Sequence, residues 1–523
     1  MIQVAMLSKS DLASFRQCPR KLWLEHYRPE WIPEDDPTLW RRANDGNMVH
    51  AKARALLGAD VIWPKGGDNA SAAAAAATAQ LTDNPGRPAV EVPMFHDGLY
   101  ARADALIPAG SGAYVIRETK ASTFPRKPDK LTPGQADEHL LDDMAIQAWV
   151  YQATGWPLAD AELNLLDNQW RYAGRGDYTG LFRQLRVTSE IEGRLSEVQR
   201  WYAASQRVLA GAMPEIQTGK QCSVPYSCPF YGRCKALDSP KPEHPLDLLP
   251  GTAGKALARK LNRQRGYTSL LEPRPEELTG KEAALYRRMQ MAHRTGTARL
   301  EAGSEALLSP LPYPRYYFDF EGIDLPVPRW AGVRPYEQIT FQWSCHLESG
   351  PGIFEHVEYL DLSGDDPSIP CIERMLETIP PDSSGPIFVY YQSYEAGRLR
   401  ELAERHPQYR READQYLHRL VDLHPIVRAN YYHPVMRGSF SLKAVLPTIA
   451  PNLDYAALDQ VSDGAGAQVA YLYAAFDLQT TPERKAELGD RLLAYCEQDT
   501  WALVEVAYRL QGLARPPRRM LRV

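Results

Sequence analysis

No stretch of the chain approaches the roughly 18 to 20 consecutive apolar residues that cross a bilayer. The opening residues, MIQVAMLSKSDLASFRQCPRK, are broken by polar side chains too early for a secretory leader. The expected compartment is therefore the cytoplasm, with no membrane partner. Charge of one sign is lacking too: 60 Lys and Arg stand against 65 Asp and Glu, a net charge of −5. That balance excludes a protein that coats nucleic acid or lipid by bulk charge, but not one that holds a duplex in a local basic groove. Cysteine is scarce. Seven in 523 residues, an odd number in a long chain, do not make the framework of a small secreted disulfide protein. Internal repeats are absent, and low complexity is confined to SAAAAAATAQ (71–80), which reads as an Ala-rich helix.

What is present is a foldable composition, 44% hydrophobic and 24% charged, which excludes wholesale disorder. Proline is plentiful at 42 residues and clusters where it divides the chain. SPKPEHPLDLLPG (239–251) closes a first domain, 1–238. Residues 239–306 read as a linker and small helical segment, with KEAALYRRMQMAHR its clearest helix. A second Pro-rich joint, LLSPLPYPR (307–315), opens a second domain, 307–512. RPPRRMLRV, within 513–523, is a basic tail expected to be mobile.

In the first domain, Ser8 and Asp11 have capping-box spacing before an apolar face. RRANDGNMVHAKARALLG reads as a helix carrying His50. In AVEVPMFHDGLYARADALI, the Asp97-Gly98 pair between two apolar runs signals a hairpin, and AYVIRETKAS reads as the next strand. Asp104 lies near one strand end; Glu118 and Lys120 lie two apart on the neighbour and so share a face. Carboxylates are the hard ligands that Mg²⁺ or Mn²⁺ prefers in phosphodiester hydrolysis, and a lysine beside them can orient water and stabilise developing charge. Taken alone, Glu118-x-Lys120 on a strand favours the plainer reading, a surface salt bridge between Glu118 and a neighbouring cation.

The wider order is His50, Asp104, Glu118-x-Lys120, then Gln147-x-x-x-Tyr151 on one helical face. It resembles the PD-(D/E)XK nucleases of the RecB-like class. The resemblance implies that His50, Asp104 and Glu118 hold the metal, that Lys120 is catalytic, and that Gln147 and Tyr151 line the active site. Cys18 near the start, with Cys222, Cys228 and Cys234 in QCSVPYSCPFYGRC, is similar to the one-plus-three layout that CRISPR-associated and helicase-linked members use for a [4Fe–4S] cluster. The C-x5-C-x5-C spacing differs from the shorter first gap of relatives, so a structural zinc site is the alternative. Either would staple the first helix to the end of the domain.

In the second domain, YYFDFEG sets Asp319 and Glu321 on one face of a strand, and EQITFQWSCHLES and HVEYLDL continue a sheet. PIFVYYQSYEAGRLRELAERH reads as strand, turn and helix, with Glu395 at the helix start. In RLLAYCEQDTWALVEVAYRL, Tyr495 and Asp499 share a helical face. The order resembles the DEDD exonucleases of the ribonuclease-H-like superfamily, tyrosine subtype, and implies that Asp319, Glu321, Glu395 and Asp499 hold two metals while Tyr495 positions water. Tyr391 stands where the second motif usually has Asn, and Glu395 where it has Asp; Asp422 is the fallback ligand. Cys345, Cys371 and Cys496 read as ordinary buried thiols.

Between the domains, LLPGTAGKALARKLNRQRGYTSLLEPRPEEL faintly resembles a helix-hairpin-helix. Lys255, Arg259, Lys260, Arg263 and Arg265 would then contact phosphates without sequence preference. The expected fold class is α/β, a RecB-like restriction-endonuclease-fold core plus a ribonuclease-H-like mixed-sheet domain joined by a small helical segment. The resemblances imply a nuclease with two cores and Mg²⁺ or Mn²⁺ as cofactor, acting on DNA in repair, recombination or defence, the second core as a 3′–5′ exonuclease. A helicase or CRISPR/defence partner fits the same relatives. The alternatives are a ribonuclease, or an inactive nucleic-acid-binding scaffold.

Overall fold

The computed structural model describes residues 6–124, 137–238, 240–453, 461–516 and 520–522. The chain forms two α/β units. Unit 1 comprises Met1–Ser239 with Leu325–Glu337, and unit 2 comprises Pro240–Asp324 with Gln338–Val523.

Unit 1 begins with β1 (Leu7–Ser8) and α1 (Lys9–Gln17), and the capping box is present. Ser8 Oγ accepts from Asp11 N–H at 3.2 Å, and Asp11 Oδ2 accepts from Ser8 N–H at 2.7 Å. There follow α2 (Pro19–Tyr27), α3 (Pro37–Ala55), α4 (Ala70–Asp83, the Ala-rich run), β2 (Ala89–His96), β3 (Leu99–Pro108), β4 (Tyr114–Thr123), α5 (Glu138–Ala153), β5 (Leu158–Leu166), β6 (Phe182–Arg186), α6 (Thr188–Ala210) and α7 (Tyr231–Leu237). The β2–β3 hairpin turns on Asp97 (φ 46°) and Gly98 (φ 83°), the doubly left-handed turn whose twist matches paired strands. Strand order is β1-β3-β4-β5-β6, with β2 also on β3; β1/β3 and β4/β5 are parallel, the other pairs antiparallel.

A core of aliphatic residues from β2 to β5, including Val92, Ala103, Ile116 and Leu163, packs against Leu141, Met144 and Ala148 of α5. The excursion 325–337 is held to unit 1 by backbone: Tyr172 N–H donates to Val333 O at 3.0 Å, and Gly332 N–H to Tyr172 O at 2.7 Å.

Unit 2 starts with α8 (Gly251–Arg265), α9 (Ala283–Thr295), β7 (Arg299–Leu300) and α10 (Ser304–Leu308). Its sheet strands are β8 (Arg315–Asp324), β9 (Gln338–Gly350), β10 (Ile353–Leu360), β11 (Ile387–Val389), β12 (Leu420–Asp422) and β14 (Met520–Arg522), in the order β12-β11-β8-β9-β10-β14. β8, β11 and β12 run parallel, and β9 is antiparallel to both of its neighbours. Around them lie α11 (Ser368–Thr378), α12 (Ser393–Arg405), α13 (Arg410–Arg419), α14 (Leu423–Asn430), β13 (Tyr431–Tyr432), α15 (Leu442–Ile449), α16 (Gly464–Phe476) and α17 (Pro482–Leu510). Thr481 caps α17 and Pro482 stands at its first position, the favoured start of a helix. α17 packs on β8, β9 and β10.

Three expectations are corrected. Residues 240–306 are not a separate joint but fold with unit 2: His293 of α9 hydrogen-bonds the Tyr432 hydroxyl at 2.9 Å, and Arg288 donates to Arg428 O at 2.6 Å. The helix-hairpin-helix is not formed, because one helix, α8, ends at left-handed Gly266 and residues 267–282 contain no second helix. Lys255, Arg259, Lys260, Arg263 and Arg265 lie on the exposed side of α8, opposite Ala258 and Leu261. The tail also orders in part: Met520–Arg522 pairs in parallel with β10, while 517–519 and Val523 lie outside the described residues. No helix among the described residues is long and apolar enough to cross a membrane.

Candidate metal centres and a thiol cluster

In unit 1, the hairpin register runs Val90↔Ala105 and Val92↔Ala103, which sets Glu91 opposite Asp104. The β3–β4 register, Ala105↔Arg117, sets Glu118 opposite Asp104 at the next step. Three carboxylates therefore form a row across three strands. The ladder opens here: Thr119 N–H donates to Asp104 Oδ2 at 2.7 Å, and Glu91 takes φ 51°, an uncommon conformation for a non-glycine residue that often marks a functional site. His50 from α3 brings Nδ1 to 3.4 Å from Asp104 Oδ1. Ligand atoms of His50, Glu91 and Asp104 lie within 4.8 Å of one another.

Glu118, 1% exposed, is surrounded by donors. Its Oε1 accepts from Lys120 and from Lys9, each at 2.7 Å, and its Oε2 from Gln147 Nε2 at 2.7 Å. The two lysines also share Asp143 of α5, at 2.5 Å from Lys120 and 3.3 Å from Lys9. Burial works to raise the carboxyls of Asp104 and Glu118. For Asp104 the hydrogen bond and charge of His50, then Lys9 and Lys120, outweigh it; for Glu118, Lys120 and Lys9 outweigh both burial and Asp104. Both acids are held below the usual range, and His50 is raised by its hydrogen bond to Asp104. The acids face a cavity of about 880 Å³ also lined by Lys9, Arg42, Arg54, Arg102 and Lys120, a basic setting for an anionic substrate. Tyr151 does not line it. Its hydroxyl donates to Val92 O and accepts from Ala103 N–H, tying β2 to β3.

Sequence reading missed Glu91, Lys9 and Asp143. Glu91 was countable, because the turn at 97–98 places it opposite Asp104. Lys9 and Asp143 carry no such signal, lying 109 and 25 residues from Glu118 along the chain.

The four cysteines come together. Cys18 joins α1 to α2, Cys234 lies in α7, and all four line one small cavity with Arg20, Lys21 and Phe230. Cys228 N–H donates to Cys222 O at 2.8 Å, and Gln17 Nε2 donates to Gln221 O and Tyr226 O at 2.9 and 2.7 Å. Burial, with the neighbouring thiols, pushes Cys228 up to about 11. A tetrahedral zinc, with Zn–S of about 2.3 Å, would hold four sulfurs about 3.8 Å apart. Four thiols around one cavity are the donor set that either a structural zinc or an iron–sulfur cluster takes.

In unit 2, Asp319 and Glu321 project from β8, and Asp499 from α17; their ligand atoms lie within 4.8 Å of one another. Glu395, in the first turn of α12, is 1% exposed, and its Oε2 has no hydrogen-bond partner. Burial and the mutual repulsion of Asp499, Glu321 and Glu395 push Asp319 well above the carboxylate range. Burial and Asp499, eased by Lys443, push Glu321 up to about 8, and burial, with a contribution from Asp422, pushes Glu395 up to about 8. For these three acids burial and like charge prevail over the lowering by Lys443 on Glu321 and Arg398 on Glu395, whereas in unit 1 the cations prevail. A buried carboxylate oxygen without a donor, beside three more acids, fits hard divalent cations.

Tyr495 is buried one turn before Asp499, with the Lys443 ammonium 5.3 Å above its ring. At Gly322 a Cβ would meet the Tyr394 hydroxyl at 2.9 Å, so glycine lets that phenol approach the cluster. Asp422 is not the fallback ligand. Its carboxylate already accepts from the N–H groups of Tyr391, Gln392 and His424 at 3.1, 3.0 and 2.9 Å.

The chain is thus an α/β protein with two acidic clusters able to hold cations and a separate four-thiol cluster. A family model described as a domain of unknown function (DUF2779) matches residues 316–441, which include Asp319, Glu321 and Glu395. No curated protein matches. Among solved structures, the crystal structure of SSO0001 is similar at 15% identity over 46% of this chain and 89% of that one, with a TM-score of 0.27.

Proposed function

We propose that the chain is a metal-dependent nuclease with two hydrolytic cores acting on DNA, the unit 2 core as a 3′–5′ exonuclease, and that the four cysteines hold a [4Fe–4S] cluster of structural role. The observation that carries the reading is the meeting of Asp319, Glu321 and Asp499 within 4.8 Å beside the undonated Glu395, on strand and helix positions in the order of the DEDD exonucleases. Mg²⁺ or Mn²⁺ held there would polarise a phosphodiester and lower the pKa of a water.

In unit 1, His50, Glu91, Asp104 and Glu118 are the ligand set, Gln147 orients Glu118 by its 2.7 Å hydrogen bond, and Lys120 and Lys9 are the cations nearest the reacting phosphate. Tyr151 is a positioning residue for the strands. Incubating end-labelled DNA and RNA with Mg²⁺ or Mn²⁺ tests the reading. Glu118→Ala should remove one activity and Asp499→Ala the other, and the preferred polymer separates deoxyribonuclease from ribonuclease. If both single variants cut as the wild type does, these acids are not the catalytic ligands. Purification without oxygen, followed by iron and zinc analysis, tests the cluster.

A further inference from the structure

Tyr391 is out of place for a structural tyrosine. It is 45% exposed and takes φ 65°, a left-handed conformation that bulky side chains rarely adopt. Its ring stacks on His424 with centroids 3.9 Å apart and planes at 27°. Tyr390 braces both rings edge-on at 5.5 Å and is itself anchored by donating to Phe440 O at 2.6 Å. The Asp422 carboxylate grips the backbone on both sides, at Tyr391, Gln392 and His424. The pair sits just past the ends of β11 and β12, parallel strands of which β11 pairs with β8. Ligands bind at the carboxyl ends of such strands. Glu395 lies four residues on from Tyr391, at the start of α12. The fold therefore holds a strained, half-exposed aromatic face on the short turn that leads from β11 into α12, the helix that carries Glu395.

We propose that Tyr391, backed by His424, is a stacking platform for the terminal nucleobase of a single-stranded nucleic acid end, setting the adjoining phosphodiester on Asp319, Glu321, Glu395 and Asp499. The inference rests on the nuclease reading of unit 2. Every nucleobase has a π-face, so such a platform tolerates any sequence but needs a base.

The test uses the full chain carrying Glu118→Ala, so that cleavage reports unit 2. Substrates are one oligonucleotide with a normal terminal residue and one with an abasic terminal residue. The Tyr391→Gly change should raise KM for the normal end on the order of tenfold, with kcat little changed, and leave the abasic end unaffected. Because glycine accepts φ 65° without strain, the same variant should melt no lower than its parent. Tyr391→Phe should behave as the parent does. A terminal 2-aminopurine, bound in Ca²⁺, should be quenched by the parent and not by Tyr391→Gly. Equal KM for normal and abasic ends in the parent, with cleavage intact, overturns the platform and leaves the nuclease reading standing. Failure of the parent to bind or cut either oligonucleotide overturns both.

Discussion

Replacing Glu321 with Gln should stabilise unit 2 in the absence of divalent cations. Glu321 is 9% exposed and is pushed up to about 8 by burial and Asp499, whereas an unfolded glutamate titrates near 4.3. Between those values the native state holds the extra proton, so stability falls as pH rises from about 4.5 to about 8 and levels off above. At 1.36 kcal/mol per unit, the native-state penalty at pH 7 is about 3.6 kcal/mol. Glutamine keeps the shape of the protonated acid and removes the penalty, a gain of about 6 °C in the melting of a domain of this size. Calorimetric scans in EDTA from pH 5 to 9 should show wild type and Glu321→Gln close together at pH 5 and diverging upward. Adding Mn²⁺ should raise the wild-type transition and move the variant less. A variant that melts at or below wild type across the whole range would refute the argument that this cluster stores uncompensated negative charge.

Three further outcomes concern unit 1. Lys120→Ala should destabilise it by about 2 kcal/mol in denaturant melts, below the 3–5 kcal/mol of an orphaned buried charge, because Lys9 still reaches Glu118 at 2.7 Å; adding Lys9→Ala should cost more than the sum of the singles. Tyr151→Phe should lose about 1 kcal/mol of stability, since the buried hydroxyl's hydrogen bonds to Val92 O and from Ala103 N–H are removed, yet keep cleavage; a large fall in kcat with unchanged stability would place its hydroxyl at the chemistry instead. Glu91→Gln, read by Mn²⁺ titration calorimetry in an Asp499→Ala background, should weaken the unit 1 site about tenfold; unchanged affinity would remove Glu91 from the ligand set.

Local signals carried much of the architecture. The Asp97-Gly98 turn, the period-two placement of Glu118 with Lys120 and of Asp319 with Glu321, the Ser8–Asp11 cap and the Tyr495–Asp499 spacing all depend on a few neighbouring residues, and each element forms where its pattern lies. They fail where sequence distance is large or context competes. Tyr151 carries the spacing of a site residue, but burial turned its hydroxyl to the backbone of β2 and β3. Asp422 offers a carboxylate in the right region, but three nearby N–H groups claim it. The glycine-flanked basic stretch suggested a hairpin of helices, whereas 267–282 stays irregular and α9 buries its own apolar side in unit 2.

The amino-acid order by itself determined the α/β class, the strands and helices that carry the acids, and the grouping of one early with three later cysteines, because periodicity and turn chemistry are local. Tertiary structure alone decided the charge state of each cluster. Lys9 and Asp143 reach Glu118 only through folding, which leaves the unit 1 acids compensated. The unit 2 acids are drawn together from β8, α12 and α17, where burial and mutual repulsion push Asp319, Glu321 and Glu395 up. Electrostatic energy depends on distance and burial in space, and neither is written along the chain.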